Sequence, residues 1–263
     1  MFTYTYIDPV ALQLGPLAVR WYGLMYVTGI LGGWWLGRVL ARRPWSPLNQ
    51  PQVDDMVTCV ALGVILGGRV GSVLFYNFGA FLDDPLMLLR IWEGGMSFHG
   101  GFIGVLVAML WYGRRINVSF WELTDFIAPL ITVGLGAGRV GNFINGELWG
   151  KETDVPWAFV VDGVARHPSQ LYEAFLEGLV AFLILWGFAS KPRPRMAISA
   201  VFLISYGVFR FAVEFVRLPD AHIGYMAWGW LTRGQLLTLP MIICGIAILI
   251  IAYRRPVEAT AKA

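Results

Sequence analysis

Residues 138–150 read GRVGNFINGELWG, and they follow directly on an apolar run. The stretch places one cation, two amides and one carboxylate among four glycines. Short motifs recur by chance, so this one also fits a loop whose glycines serve only its bends. The choice between a bend and a functional site depends on the solvent around the stretch, which the rest of the chain indicates.

Composition indicates an integral membrane protein. Of the 263 residues, 57% are hydrophobic and 14% are charged, and the apolar residues gather in long runs. The net charge of +3 is too small and too scattered to suggest a nucleic-acid partner. Cys59 and Cys244 both lie inside apolar runs, which favours small buried hydrophobic side chains over a disulfide or a nucleophile. No basic region or cleavage site precedes the first apolar run, so we expect no removable signal peptide.

Seven segments are long and apolar enough to be membrane spans, each of which needs about 20 residues. The predicted fold is therefore an all-α, multi-pass membrane protein whose residues 1–263 form a single transmembrane domain. The predicted spans cover residues 17–37, 53–76, 98–112, 121–138, 170–189, 197–217 and 234–253.

Basic residues predict the orientation of these spans, because short cytoplasmic loops are enriched in lysine and arginine. Clusters of them follow every odd-numbered span, for instance Arg114 with Arg115, and Lys191 with Arg193 and Arg195. The N-terminus is therefore expected outside and the C-terminus in the cytoplasm. The loops 77–97, 139–169 and 218–233 are then expected at the outer face, which includes the 138–150 stretch.

Polar side chains recur inside the predicted spans at helical spacing. In the sixth span, Tyr206, Arg210, Glu214 and Arg217 follow each other at steps of four, four and three, which places them on one helix face. A charge in the middle of a bilayer costs at least about 2.5–3.5 kcal/mol, so such residues normally face a protein interior and mark a function. Other spans carry similar sets, which are Gln170, Glu173 and Glu177; Arg69, Ser72 and Tyr76; and Tyr22 with Tyr26.

Buried ion pairs without any chemistry are the alternative explanation for these residues. Arg210 with Glu214 and Arg69 with Glu173 are the obvious pairs. A wholly structural polar core of this size would be unusual, which favours a functional site.

His99 begins the sequence His99-Gly100-Gly101 at the outer start of the third predicted span. An imidazole titrates near neutral pH and can act as a general base. A histidine at a helix start also serves as a cap or hydrogen-bond partner, so the sequence leaves both roles open. The chain has no phosphate-binding loop, no zinc-binding His-Glu-x-x-His helix, no serine-hydrolase elbow and no cysteine pair with metal spacing. We therefore expect no cofactor and no metal.

These residues together resemble the bacterial phosphatidylglycerol–prolipoprotein diacylglyceryl transferases. The 138–150 stretch is similar to the family signature, and His99-Gly100-Gly101 resembles its His-Gly-Gly segment. Tyr22 resembles the family's first-span tyrosine, and residues 209–217 resemble its charged sixth span. The resemblance implies a multi-pass protein of the bacterial cytoplasmic (inner) membrane, with seven spans and its N-terminus outside.

The resemblance also implies a reaction and its partners. The diacylglyceryl group of phosphatidylglycerol, a membrane lipid, passes to the lipobox cysteine thiol in the signal peptide of a prolipoprotein. The products are a thioether and glycerol 1-phosphate. Such a reaction requires cations on the phosphate, a base near the thiol and an apolar space for two acyl chains.

The same resemblance assigns roles to individual residues. Arg139 and Arg210 would hold the phosphate with forked donors, and Asn142 and Asn145 would hold the glycerol or ester groups. His99 would deprotonate the thiol, with Tyr22 as the alternative or helper. The remaining predicted substrate contacts are Tyr26, Glu147 and Gly150, and the residues expected to orient the arginines are Glu147, Glu214, Arg217 and Tyr206.

Two other classes of function remain compatible with the residues. In a lipid or solute transporter, the polar faces would line a path instead of a reaction site. In a structural scaffold, Arg139 and Arg210 would be replaceable. The base is open as well, because the charge of the arginines could lower the thiol pKa enough to make a dedicated base unnecessary.

Overall fold

The structure, a computed structural model, describes residues 1–15, 17–90, 94–219 and 224–254. The described chain is mostly helical, with five short strands. A six-residue helix and a 3₁₀ turn, Pro85–Leu89, lie between the second and fourth helices. The helices are α1 (Trp21–Leu40), α2 (Gln50–Tyr76), α3 (Phe78–Asp83), α4 (Phe98–Ile116), α5 (Phe120–Ile144), α6 (Ser169–Phe188), α7 (Ala197–Val213) and α8 (Arg233–Arg254).

Four of these helices, α2, α5, α6 and α8, are long and apolar enough to cross a membrane, and α7 is a shorter apolar helix. Large apolar side chains cover their outsides, such as Leu66 at 63% exposure and Ile243 at 66%. Fully buried positions include the polar Gln170 and Gln235 beside apolar side chains such as Leu185. Polar side chains inside and apolar side chains outside are the arrangement of a protein surrounded by lipid. Helices occupy all seven predicted span positions, but the crossing of all seven stays a prediction.

The two cysteines do not match the prediction that they are buried. Cys59 is half-buried and Cys244 is exposed on the surface of α8. A side chain within an apolar run is expected to avoid water. In a membrane helix it can do so either in the protein interior or on the lipid-facing surface, and the run does not distinguish the two.

Several element ends differ from the predicted spans, and three of the differences concern the site or its supports. Residues 17–20 form strand β3 (Leu17–Arg20), which pairs antiparallel with β2 (Val10–Leu14), so the first helix begins only at Trp21. An apolar run of this length does not distinguish a strand from the first turn of a helix. Helix α7 ends at Val213 instead of residue 217, and Arg217 forms an antiparallel bridge with Gly150.

Helix α5 continues to Ile144, six residues beyond the predicted end at Gly138. Tyr4 explains where it stops, because its hydroxyl donates to the carbonyl oxygens of Phe143 at 2.8 Å and Ile144 at 3.0 Å. The Gly146 N–H also donates to the Phe143 carbonyl at 3.1 Å, so a turn and Tyr4 together close the helix end. The first half of the 138–150 stretch is therefore helical. The outer loop, predicted over residues 139–169, begins only after Ile144.

A three-stranded sheet holds the N-terminus beside this loop. Strand β1 (Phe2–Thr3) pairs parallel with β4 (Phe159–Val161), and β4 pairs antiparallel with β5 (Val164–Arg166). Asp162 and Gly163 form the hairpin turn, with φ of 49° and 81°. The sheet positions Tyr4, and Tyr4 positions the end of α5.

The chain divides into two compact units, Arg38–Leu123 and Met1–Gly37 with Thr124–Ala263. In the first, α2 packs closely on α4: a Cβ added to Gly67 would lie 2.3 Å from the carbonyl oxygen of Gly100. Arg69 is buried there and donates to backbone carbonyls of Met87, Leu88, Gly94 and Gly95. Its donors are thus bound within its own unit, and the Arg69–Glu173 alternative finds no support.

Candidate active site

Three arginines meet at one buried carboxylate in the larger unit. Glu173, on α6, has a fully buried side chain. Arg210 Nη1 lies 2.6 Å from Glu173 Oε1, and Arg217 Nη1 donates to the same oxygen. Arg139 Nε lies 2.8 Å from Glu173 Oε2, an ion pair without hydrogen-bond geometry. A single carboxylate therefore orients cations from α5, from α7 and from the chain just beyond α7.

Two further glutamates complete the cluster. Glu214 Oε1 pairs with Arg210 Nη2 and lies 3.3 Å from Arg217 Nε, while its Oε2 accepts a hydrogen bond from the Thr232 hydroxyl at 2.7 Å. Glu177 Oε2 lies 3.8 Å from Arg139 Nη2. The three arginines and three glutamates balance in formal charge, which is what allows them to be buried together.

The two kinds of side chain differ in exposure. The Arg139, Arg210 and Arg217 side chains are 21%, 16% and 14% exposed, whereas the three carboxylates are 0–5% exposed. A guanidinium has five donors, so it can bind a buried carboxylate and still offer N–H groups to a ligand. The carboxylates therefore form the buried side of the cluster, and the arginines form its partly accessible side.

Local backbone features bring these residues together. Residues Ala174–Val180 of α6 form a π-helical segment directly after Glu173, a feature frequent at functional sites. Gly136 and Gly178 let α5 and α6 approach closely: a Cβ on Gly178 would lie 2.7 Å from the Gly136 Cα. Arg139 is one turn beyond Gly136, so this contact places it beside the carboxylates of α6.

Three polar side chains of the 138–150 stretch bind one another. The Glu147 carboxylate accepts hydrogen bonds from Asn142 Nδ2 at 3.3 Å and from Asn145 Nδ2 at 3.2 Å. Gln170 Nε2 donates to the Glu147 backbone carbonyl. Glu147 therefore orients the two amides, where we expected it to orient the arginines.

Gly150 has a structural reason to be a glycine. Its N–H donates to the His167 carbonyl at 2.9 Å, and it bridges to Arg217 on the other side. A Cβ there would lie 2.5 Å from the Val216 carbonyl oxygen and 2.8 Å from His167 Cβ. The chain on both sides excludes any larger residue, so the Gly150 backbone holds Arg217 in place.

Two of the predicted tyrosines lie on α1, beside the 138–150 stretch. The Tyr22 and Tyr26 hydroxyls are 3.5 Å apart, and their rings meet edge to face. A Cβ added to Gly141 would lie 3.0 Å from Tyr22 Cδ2, so Tyr22 packs directly on the motif helix. Tyr206 is one turn before Arg210 on α7 and stacks on Phe202.

Comparison with known proteins gives the family of the chain. A family model described as prolipoprotein diacylglyceryl transferase matches residues 9–251. The chain belongs to this family.

Several relatives align with the chain over nearly its whole length. One from Ectopseudomonas mendocina is 59% identical over 269 residues, covering 99% of this chain and all of the relative. One from Methylococcus capsulatus is 60% identical over 259 residues, covering 97% and 99%, and one from Pseudomonas putida is 55% identical over 268 residues, covering 100% and 99%. Each is named phosphatidylglycerol–prolipoprotein diacylglyceryl transferase.

In this member of the diacylglyceryl transferase family, one predicted site residue, His99, lies outside the unit that holds the arginine cluster. It is the second residue of α4, in the Arg38–Leu123 unit. Its side chain is exposed, and its ring meets Phe98 at 5.7 Å between centroids. Its role as the base stays a prediction.

Glu173 is the site residue that the sequence reasoning did not select. The spacing of Gln170, Glu173 and Glu177 predicts one shared helix face, but it indicates no role for any of them at the site. Charge balance was the available signal, because three arginines in apolar surroundings require carboxylate partners, and the sequence assigns them only Glu147 and Glu214.

Proposed function

We propose that this protein transfers the diacylglyceryl group of phosphatidylglycerol to the lipobox cysteine of prolipoproteins. The observation that carries the proposal is the arginine cluster, whose guanidinium groups are partly exposed above fully buried carboxylates. The names of its relatives supply the donor lipid and the acceptor class. The protein is a membrane-bound transferase.

In the proposed reaction, Arg139 and Arg210 hold the phosphate of the donor lipid. The thiolate of the acceptor attacks the glyceryl carbon attached to that phosphate. A C–S bond forms, the C–O bond breaks, and its electron pair stays on the phosphate oxygen. Donors already oriented by Glu173 stabilise this growing charge without reorganising during the step.

The other site residues bind or prepare the substrates. Asn142 and Asn145 contact the glycerol or ester groups, with their amides oriented by Glu147. Tyr22 and Tyr26 border the same helix, and Gly150 contributes by positioning Arg217. His99 removes the thiol proton, with Tyr22 as helper.

The proposed topology has seven spans formed by α1, α2 and α4 to α8 in one transmembrane domain. The N-terminus and the residues around 145–168 face the outside of the bacterial inner membrane, and the C-terminus faces the cytoplasm. The distribution of basic residues supports this orientation. The arginine cluster then lies near the outer face, where the signal peptide of a secreted precursor becomes accessible.

A reconstitution assay tests the function. The purified protein is incubated with phosphatidylglycerol and a lipobox peptide, and the product mass is measured. We expect a peptide carrying a thioether-linked diacylglyceryl group, and none with a matched peptide in which serine replaces the cysteine. Movement of lipid without any such product would instead support a transporter.

A further inference from the structure

A pocket of about 280 Å³ opens beside the arginine cluster, lined by Leu148, Trp149, Arg166, Arg217, Leu218 and Pro219. We propose that it is a binding site for the phosphoglycerol leaving group, released as glycerol 1-phosphate. This rests on the proposed function.

Arg166 gives the pocket a cation that is only weakly paired. Its nearest carboxylate oxygen is Glu152 Oε1, 3.9 Å from Arg166 Nη2, and the Glu152 side chain is 73% exposed. A pair at that distance in water is worth little. The second contact, from Arg166 Nη1 to the Gly150 carbonyl at 3.4 Å, is neutral. The positive charge of Arg166 is therefore available to an anion in the pocket.

Arg217 connects the pocket to the arginine cluster. It uses Nη1 on Glu173 and Nε on Glu214, and within the described part of the chain its Nη2 has no hydrogen-bond partner. Gly150 holds both arginines, through its bridge to Arg217 and its carbonyl contact with Arg166. Gly150 thus contacts the backbone of Arg217 and the guanidinium of Arg166, while Glu173 and Glu214 orient the Arg217 guanidinium. Two oriented guanidinium groups suit a phosphate.

The size and lining of the pocket select a small ligand. Ligand pockets for drug-sized molecules usually measure roughly 300–1,000 Å³, so this one suits a headgroup and not a lipid with two acyl chains. Leu148, Trp149, Leu218 and Pro219 provide apolar surface for the three carbons of the glycerol. The ligand that matches both features is a phosphomonoester on a short polyol.

The proposed transfer reaction releases a ligand of this kind. Breaking the C–O bond leaves both electrons on the phosphate oxygen, so the singly charged diester becomes a monoester that gains negative charge. The thiol proton goes to the base. Attraction to two arginines grows with that charge, and Arg217 is shared between cluster and pocket. The leaving group can therefore move into the pocket without losing contact with a guanidinium.

Product inhibition tests this site. Thioether formation by the purified protein is measured with added glycerol 1-phosphate, glycerol or inorganic phosphate at millimolar concentration. We expect glycerol 1-phosphate to inhibit, glycerol to have no effect and inorganic phosphate to be weaker. Arg166→Gln should raise the inhibition constant for glycerol 1-phosphate about tenfold, the loss expected for one charge-assisted contact.

Two further variants keep the result interpretable. Arg166→Lys retains the charge without the fork, so its inhibition constant should fall between those of the wild type and Arg166→Gln. Arg20→Gln removes an exposed cation elsewhere in the same unit and should leave the constant unchanged. Thermal unfolding of each variant identifies any that is misfolded.

The outcomes separate the two proposals. A wild type that forms no thioether contradicts the proposed function. An active wild type that glycerol 1-phosphate does not inhibit contradicts the leaving-group site, as does an inhibition constant that Arg166→Gln leaves unchanged. If Arg166→Gln raises only the KM for the peptide, the pocket belongs to the acceptor instead.

Discussion

At the scale of single residues, Glu173 contributes most to the site. It is fully buried and pairs with Arg139, Arg210 and Arg217 at once. Removing one partner of a buried ion pair typically destabilises a protein by about 3–5 kcal/mol, because the remaining charges lose their compensation. Glu173 therefore links the stability of the fold to the orientation of the phosphate-binding side chains.

Glu173→Gln should lose most activity, about a hundredfold or more, because the three arginines lose the shared charge that orients them. The variant should also unfold at a lower temperature. Thioether formation and thermal unfolding are both measured, with Glu152→Gln as the control, since Glu152 is largely exposed. Full activity in a folded Glu173→Gln protein would mean that the arginines orient themselves.

Arg139→Lys and Arg210→Lys should each lose most activity although the charge is kept. An ammonium cannot bind a carboxylate on one side and offer parallel donors to a phosphate on the other. The assay compares initial rates with those of Arg20→Lys, an exposed arginine outside the cluster. Near-normal rates in both cluster variants would assign the arginines a structural role only.

His99→Gln should lower the maximal rate while phosphatidylglycerol binding stays measurable. A cysteine thiol ionises near pH 8.5, so raising the pH should restore part of the rate by forming thiolate in solution. Rate against pH is measured for the wild type and the variant. An unchanged pH profile would mean that the charge of the arginines, with or without Tyr22, generates the thiolate.

At the scale of elements, the precise end of α5 matters most for the site. The helix carries Arg139 and Asn142, and Tyr4 from the N-terminal segment binds the carbonyls of its last two residues. Tyr4 is buried, and this burial raises the pKa of its hydroxyl above the ordinary value. It therefore stays protonated and continues to donate across the neutral pH range.

Tyr4→Phe should destabilise the protein by about 1 kcal/mol, the usual net worth of a hydrogen bond, and should reduce activity by a few fold. Chemical denaturation and the thioether assay measure the two effects. Tyr6→Phe is the matched control, since Tyr6 donates to the exposed Asp162 hairpin and not to α5. Equal losses in both variants would point to a general weakening of the N-terminal sheet.

The sequence predicted where the helices lie better than where they end. Long apolar runs located seven of the eight described helices, all but the six-residue α3, because the positions of long helices depend on composition over many residues. The ends depend on single distant contacts, such as Tyr4 with Ile144 and Gly150 with Arg217, which no local pattern contains. For the same reason Arg139 and Arg210 could be selected by type and position, whereas the part played by Glu173 needed three-dimensional contacts.

At the scale of the whole molecule, the proposed topology makes opposite ends of the helices accessible from opposite sides. Asp84, between α3 and the following 3₁₀ turn, is expected outside. Lys191, after α6, is expected in the cytoplasm.

Cysteine labelling in intact cells tests this arrangement. Asp84→Cys should react with an impermeant thiol reagent added from outside, and Lys191→Cys should react only after the membrane is opened. The background carries Cys59→Ser and Cys244→Ser, which should keep activity because Cys59 belongs to the other unit and Cys244 is exposed on the surface of α8. Equal labelling of both positions in intact cells would overturn the topology.

The contact between α2 and α4 restricts which substitutions this sequence can accept during evolution. A Cβ at Gly67 would strike the Gly100 carbonyl oxygen at 2.3 Å, and a Cβ at Gly104 would strike that of Gly63 at 2.0 Å. In most cores a large residue on one side can be compensated by a small one opposite. Here the obstacle is a main-chain oxygen that every amino acid carries, so no second-site substitution at the opposing glycine can rescue the first.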